Sequence, residues 1–129
     1  MKKPPTDRQI LRKIHSKYYK DFCAYSDENK IRDSKIYVPI DCAEIARELK
    51  VDPDIIFGRL YYHLNKKHGY TQDDGSKVHL FAMKTGNDRH TVNFPLLSAI
   101  VAEHDTSWFR FNLPILISVT ALIVSLFGD

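Results

Sequence analysis

The sequence predicts an α+β domain of about a hundred residues followed by one apolar helix. Three observations carry this expectation. Apolar residues recur at three- and four-residue steps in several separate stretches, as amphipathic helices require. Between positions 70 and 94 that period gives way to alternation, punctuated by the turn clusters DDGS and TGND, as in antiparallel strands. The chain then closes on NLPILISVTALIVSLFGD, in which no charge precedes the final Asp129.

The elements follow in order. Thr6 or Asp7 caps a first helix through DRQILRKIHSKYYKDF, with Ile10, Leu11, Ile14, Tyr18 and Phe22 as its apolar stripe. SDENKIRDSK is polar and reads as a loop. Ile36, Val38 and Ile40 alternate through KIYVPID as a short strand, and Pro39, which has no amide to donate, places it at a sheet edge. Asp41 with Glu44 three residues on is a capping box for a second helix bearing Ile45, Ala46 and Leu49. Asp52 then caps a third helix with Pro53 at its first position and Gly69 at its end; Ile56, Phe57, Leu60, Tyr61 and Leu64 form the buried face, opposite Ile55, Arg59, Tyr62 and Lys66. YTQ, KVHLFAMK and RHTVNF make a small antiparallel sheet, and Pro95 opens a fourth helix, PLLSAIVAEH, broken by Asp105, Thr106 and Ser107.

The formal net charge of +3 is too mild to indicate nucleic acid by itself, but its distribution is uneven: Lys2, Lys3, Arg8, Arg12, Lys13, Lys17 and Lys20 face only Asp7 within the first twenty residues. Cys23 and Cys42 lack the spacing of a metal site and are expected to be reduced, buried thiols. The six histidines share no common spacing; His63 and His68, five apart, do not fall on one helix face. No phosphate-binding glycine loop, nucleophile elbow or HExxH segment occurs, so neither an enzyme, a metal nor a cofactor is expected. The prolines after the N-terminal lysines exclude a secretory signal there.

Strand, short helix, turn, longer helix ending in glycine, then hairpin strands is the order of a winged helix-turn-helix. AEIARELKVDPDIIFGRLYYHLNKKHGYT resembles that superfamily: Ala43–Leu49 as the first helix of the motif, Ala46 at the helix crossing, Val51 and Asp52 in the turn, Ile56, Leu60 and Leu64 facing inward on the recognition helix, Gly69-Tyr70 leading into the wing. The resemblance covers roughly residues 10–94. It implies a three-helix core, a small antiparallel wing sheet and an extra C-terminal helix, and a recognition helix that enters the major groove of double-stranded DNA while the wing touches phosphate. The binding face it implies is Arg59, Tyr62, Asn65, Lys66 and Lys67, to which the helix periodicity adds Ile55. Arg and Asn suit base edges, and lysines suit phosphates. Asp73 and Asp74 in the hairpin and Asp54 at the helix start oppose a phosphate backbone, so docking of a cytoplasmic protein partner stands as the alternative use of this face. A second copy of the chain is a further partner to consider.

The tail reads as a transmembrane helix. From Phe111 to Gly128 the charge-free run is 18 residues, about 27 Å as a helix against a hydrocarbon core of roughly 30 Å. Trp108, Phe109, Arg110 and Phe111 supply the aromatic and cationic flank typical of a membrane interface. The expected organisation is therefore a cytoplasmic winged-helix domain over residues 1–104, a linker at 105–107 and a span at 108–127, in a single-pass, tail-anchored protein whose partners include the lipid bilayer. This combination is similar to membrane-bound winged-helix regulators of bacteria, which implies the bacterial inner membrane; the extracytoplasmic sensor those regulators carry has no counterpart here.

Overall fold

The computed structural model describes residues 3–127, apart from the side chains at positions 107–109, 111–113, 116 and 127. Helix α1 (Asp7–Ala24) starts from a reciprocal cap in which Thr6 Oγ1 accepts the Gln9 amide at 3.1 Å and Gln9 Oε1 accepts the Thr6 amide at 2.8 Å, so two otherwise orphaned donors are satisfied. Its stripe of Ile10, Leu11, Ile14 and Tyr18 is buried. At the far end the Arg32 guanidinium donates to the carbonyls of Asp21, Phe22 and Lys35, tying the following loop back to the last turn.

Strand β1 (Tyr37–Pro39) leads to α2 (Cys42–Leu49), where the Asp41 carboxylate accepts the amides of Ala43 and Glu44. The helix closes at Lys50, in the left-handed region at φ 61, whose amide turns back to the carbonyls of Ala46 and Arg47. Asp52 caps α3 (Pro53–Gly58), which runs on through a π-helical stretch (Arg59–Leu64) into α4 (Asn65–His68) with right-handed helical backbone at every junction. The three segments form one rod over residues 53–68, and Ile56, Leu60 and Leu64 are wholly buried along it. Gly69 is required at its end: a Cβ there would lie 2.6 Å from the Asn65 carbonyl oxygen and 3.1 Å from that of Val78.

The strands divide into two sheets. β2 (Tyr70–Thr71) and β3 (Lys77–Val78) form a short antiparallel ribbon. β4 (Phe81–Thr85) and β5 (Asp88–Asn93) pair antiparallel, and β1 joins the other side of β5, giving the order β1-β5-β4 with Val38 opposite Val92 and Phe81 opposite Val92. KVHLFAMK is thus not one strand. The Asn65 side-chain oxygen takes the amides of Leu80 and Phe81, and Leu80 turns into the core. Pro39 lies on the edge strand, where its missing amide costs no ladder bond. Val38, Phe81 and Val92 pack with α1 and the rod into one core, closed by Phe94, Leu97 and Ile100.

The C-terminal third differs from expectation. No break occurs at 105–107: α5 runs from Phe94 to Phe127. The Thr106 hydroxyl donates to the Ala102 carbonyl one turn back, and Asp105 reaches across to Arg8 and Arg12 on α1, so both polar residues are accommodated within the helix. Nor is the predicted membrane span supported, because among the described residues no helix is long and apolar enough to cross a membrane. A span needs about 20 consecutive apolar residues. Here Arg110 sits on α5, and the described helix beyond it covers about 17 residues or 25 Å, to Phe127, with Asn112, Pro114, Ser118, Thr120 and Ser125 inside that stretch. The transmembrane helix at 108–127, the tail-anchored topology and the single-pass membrane location are corrected accordingly. Of the residues expected at a membrane interface, Arg110 is exposed, and the side chains of Trp108, Phe109 and Phe111 lie outside the described residues.

Candidate nucleic-acid or partner interface

The 53–68 rod presents two different surfaces. On the side of α1, Arg59, His63 and Lys67 follow one another at four-residue steps and converge on Asp7. Arg59 Nη2 donates to Asp7 Oδ1, while His63 Nε2 and Lys67 Nζ stand 3.2 and 3.6 Å from Oδ2. A second guanidinium nitrogen of Arg59 donates to the Pro5 carbonyl at 2.7 Å. Burial works against charge on Asp7, but Arg59 and His63 outweigh it and hold the carboxyl below its usual range. The side chains of Arg59 and Asp7 are only 24% and 20% exposed, so this pair is a fastening between α1 and the rod.

Ile55, Tyr62 and Lys66 make none of these contacts with Asp7 and are open to solvent, Tyr62 at 72%. Asn65 is not available in the same way, since its Oδ1 accepts the Leu80 and Phe81 amides at 2.9 and 3.2 Å. Of the six residues predicted for a binding face, then, Ile55, Tyr62 and Lys66 are exposed. Lys67 is exposed but leans toward Asp7, and Arg59 and Asn65 are engaged inside the protein.

Between the rod and β4 lies a groove of about 620 Å³, lined in part by Tyr61, Tyr62, Lys66, His79, Met83 and Lys84, with no carboxylate among its lining residues. Four of these, Tyr61, His79, Met83 and Lys84, were not legible as site residues. Tyr61 reads as core, yet it is 42% exposed. It belongs to the π-helical stretch, where a wider i→i+5 turn alters which side chains share a face; such stretches are frequent at functional sites. Met83 and Lys84 lie where β4 emerges beside the rod, a pairing that depends on tertiary packing. Their signal in the sequence is only that they follow the inward Phe81 on a short strand.

An aromatic series leads from the core to this groove. Phe81, almost fully buried, meets Phe57 edge-on at 5.8 Å; Phe57 stacks nearly parallel on Tyr61 at 5.6 Å; Tyr61 meets Tyr62 edge-on at 4.9 Å. Each ring positions the next.

The two hairpins contribute little positive charge at their tips. In the β2–β3 turn, hydrogen bonds from Ser76 hold the Asp74 carboxyl low. The β4–β5 turn is clasped to the loop before β1: the Asp33 carboxylate accepts the Asn87 amide at 2.6 Å, and the Asp88 carboxylate accepts the Asp33 amide at 3.0 Å. Gly86 is at φ +60 beneath the Asp33 side chain, where a Cβ has no room.

Among the described residues no group of three or more His, Cys, Asp or Glu side chains could hold a metal ion. Burial, aided by Asp41, pushes the Cys42 thiol up to about 11, which leaves it protonated and unreactive at neutral pH. Cys23, expected to be buried, is exposed. Compared with protein-family models, with curated proteins and with solved structures, the chain matches none.

Proposed function

We propose that this chain is a winged-helix module that binds nucleic acid through the Ile55, Tyr62, Lys66 side of the 53–68 rod and the adjoining groove. The observation that carries the reading is the groove itself, which gathers Lys66, His79 and Lys84 around exposed aromatic rings and excludes acids from its lining. Support for the fold reading comes from element order and strand order: helix, edge strand, capped short helix, rod, then two strands arranged β1-β5-β4. Cations at a concave aromatic surface attract phosphates and release their counterions, so binding depends steeply on salt.

The test is binding of labelled oligonucleotides to the full chain at about 50 and 200 mM salt. Affinity should fall as salt rises, and Lys66→Ala combined with Lys84→Ala should weaken binding and flatten the salt dependence, by about one unit of slope for each phosphate no longer neutralised. Absence of any salt-dependent affinity would sink the reading.

A second reading has its own observation. Ile55, 47% exposed, stands next to Asp54 and near Asp52, an apolar and acidic end of the rod that suits a basic protein surface better than a phosphate backbone. Under this reading the module docks a protein, and affinity purification after crosslinking should recover a stoichiometric partner that resists nuclease treatment and is lost in Ile55→Asp.

A further inference from the structure

We infer that the groove between the 53–68 rod and β4 takes unpaired nucleobases, so that the nucleic acid bound is single-stranded rather than duplex; this rests on the nucleic-acid reading above. Sequence-specific reading of a duplex needs side chains that can form paired hydrogen bonds to base edges, above all Arg and Asn. The rod has one of each, and both are committed elsewhere: Arg59 to Asp7 and the Pro5 carbonyl, Asn65 to the Leu80 and Phe81 amides. Freeing Asn65 would leave those two amides unpaired. What remains on the open surface is Tyr62, Tyr61, Met83, His79 and two lysines. That is the chemistry of stacking with phosphate neutralisation, which grips an unpaired strand and tolerates its sequence.

The geometry adds two points. In a duplex the faces of the bases are hidden against one another, and the concave aromatic wall would have nothing to stack on; in a single strand they are open. The outermost ring is also held in advance. Tyr62 rests over Gly58, whose added Cβ would lie 3.8 Å from its ring, and it abuts Tyr61, itself stacked on Phe57. These two contacts restrict the ring on one side, which lowers the rotamer freedom it loses when a base stacks on its open face. Lys66 and Lys84 flank the groove on the rod and on β4 and can neutralise phosphates on either side of the stacked base.

The experiment uses the full chain and fluorescence anisotropy with labelled 12-nucleotide single-stranded DNA and RNA, the matching blunt DNA duplex, and a polyglutamate peptide of similar charge. A single strand should bind at least about tenfold more tightly than the duplex. Tyr62→Ala should weaken that binding by roughly 5- to 100-fold, in the range of one lost base stack. Tyr62→Phe, which keeps the ring face, should stay within about threefold of the unaltered chain, a rescue that a merely charge-driven surface would not distinguish. The DNA and RNA arms decide which strand is preferred. Duplex binding equal to or tighter than single-strand binding overturns the inference while leaving the nucleic-acid reading intact, and so does a Tyr62→Phe loss as large as that of Tyr62→Ala. Binding of polyglutamate with no oligonucleotide bound, or binding of nothing, overturns both.

Discussion

Asp7 sits at the first position of α1 and answers to Arg59, His63 and Lys67 from the rod, which makes it a residue whose charge state matters to stability. Its carboxyl is held below the range it has in the unfolded chain, because Arg59 and His63 favour the ionised form more strongly than partial burial disfavours it. A group with a depressed folded-state pKa contributes stability that is complete above the unfolded value, near 4, and disappears as pH falls through the folded value. Asp7→Asn should therefore destabilise the protein by about 1 to 3 kcal/mol at pH 7, the range for a mostly buried hydrogen bond to a charged group. The difference should shrink as pH falls through the lowered folded-state value, where the native side chain becomes neutral. Urea unfolding of both proteins at pH 7 and across the acid range measures this; a loss that does not change with pH would show that Asp7 acts through its shape alone. None of this could be read from position 7 in the sequence, where Asp looks like an ordinary first-turn acid beside a helix N-terminus.

At the scale of elements, local chemistry decides most of the outcome. The caps at Thr6, Asp41 and Asp52 and the stop at Gly69 are set by backbone groups within a few residues, and each is present where the sequence places it, except that the Glu44 half of the expected capping box is replaced: the Asp41 amide donates to the Tyr18 hydroxyl and Glu44 pairs with Lys17. Lys50 is a further exception. It closes α2 in the left-handed region that glycine adopts at least cost, and no glycine marks it in the sequence. Lys50→Gly should accordingly raise the stability by up to about 1 kcal/mol, the relief of left-handed strain being partly offset by the greater freedom of glycine in the unfolded chain. Thermal unfolding of the two proteins tests it, and a lowered midpoint would mean that the Lys50 side chain makes a contribution larger than the strain. The 105–107 segment shows the limit of the same local reasoning. Asp, Thr and Ser there read as a helix break, but Asp105 is held by Arg8 and Arg12, more than ninety positions away, and the helix continues.

For the molecule as a whole, Phe94 is the joint. It ends the β5 side of the sheet, begins α5, is almost fully buried, and stacks on Phe22 at 4.8 Å and on His15 at 5.1 Å, both from α1. Phe94→Ala should cost about 3 to 5 kcal/mol, the usual penalty for emptying an aromatic site in a core. The loss should appear as one cooperative transition shifted to lower denaturant, since sheet and helices share this core; a separate early transition for α5 would contradict that arrangement. The candidate interface belongs to the same scale, because its members come from the rod and from β4 and meet only once the sheet has packed.

The sequence by itself determined the order of helices and strands up to Phe94, apart from the division of KVHLFAMK into two strands, and with it the helix caps, most of the inward positions, and the exposure of Ile55, Tyr62 and Lys66. These follow from periodicity and from hydrogen bonds that span a few residues. Only the tertiary structure decided that Arg59 and Asn65 are committed inward, that Tyr61 joins the open surface, that Met83 and Lys84 complete a groove, and that α5 continues past Thr106 with no helix long and apolar enough to cross a membrane among the described residues. The physical reason is common to all of them. A long polar side chain satisfies its hydrogen bonds with whatever partner folding brings near, and that partner is set by packing between distant segments rather than by neighbours along the chain.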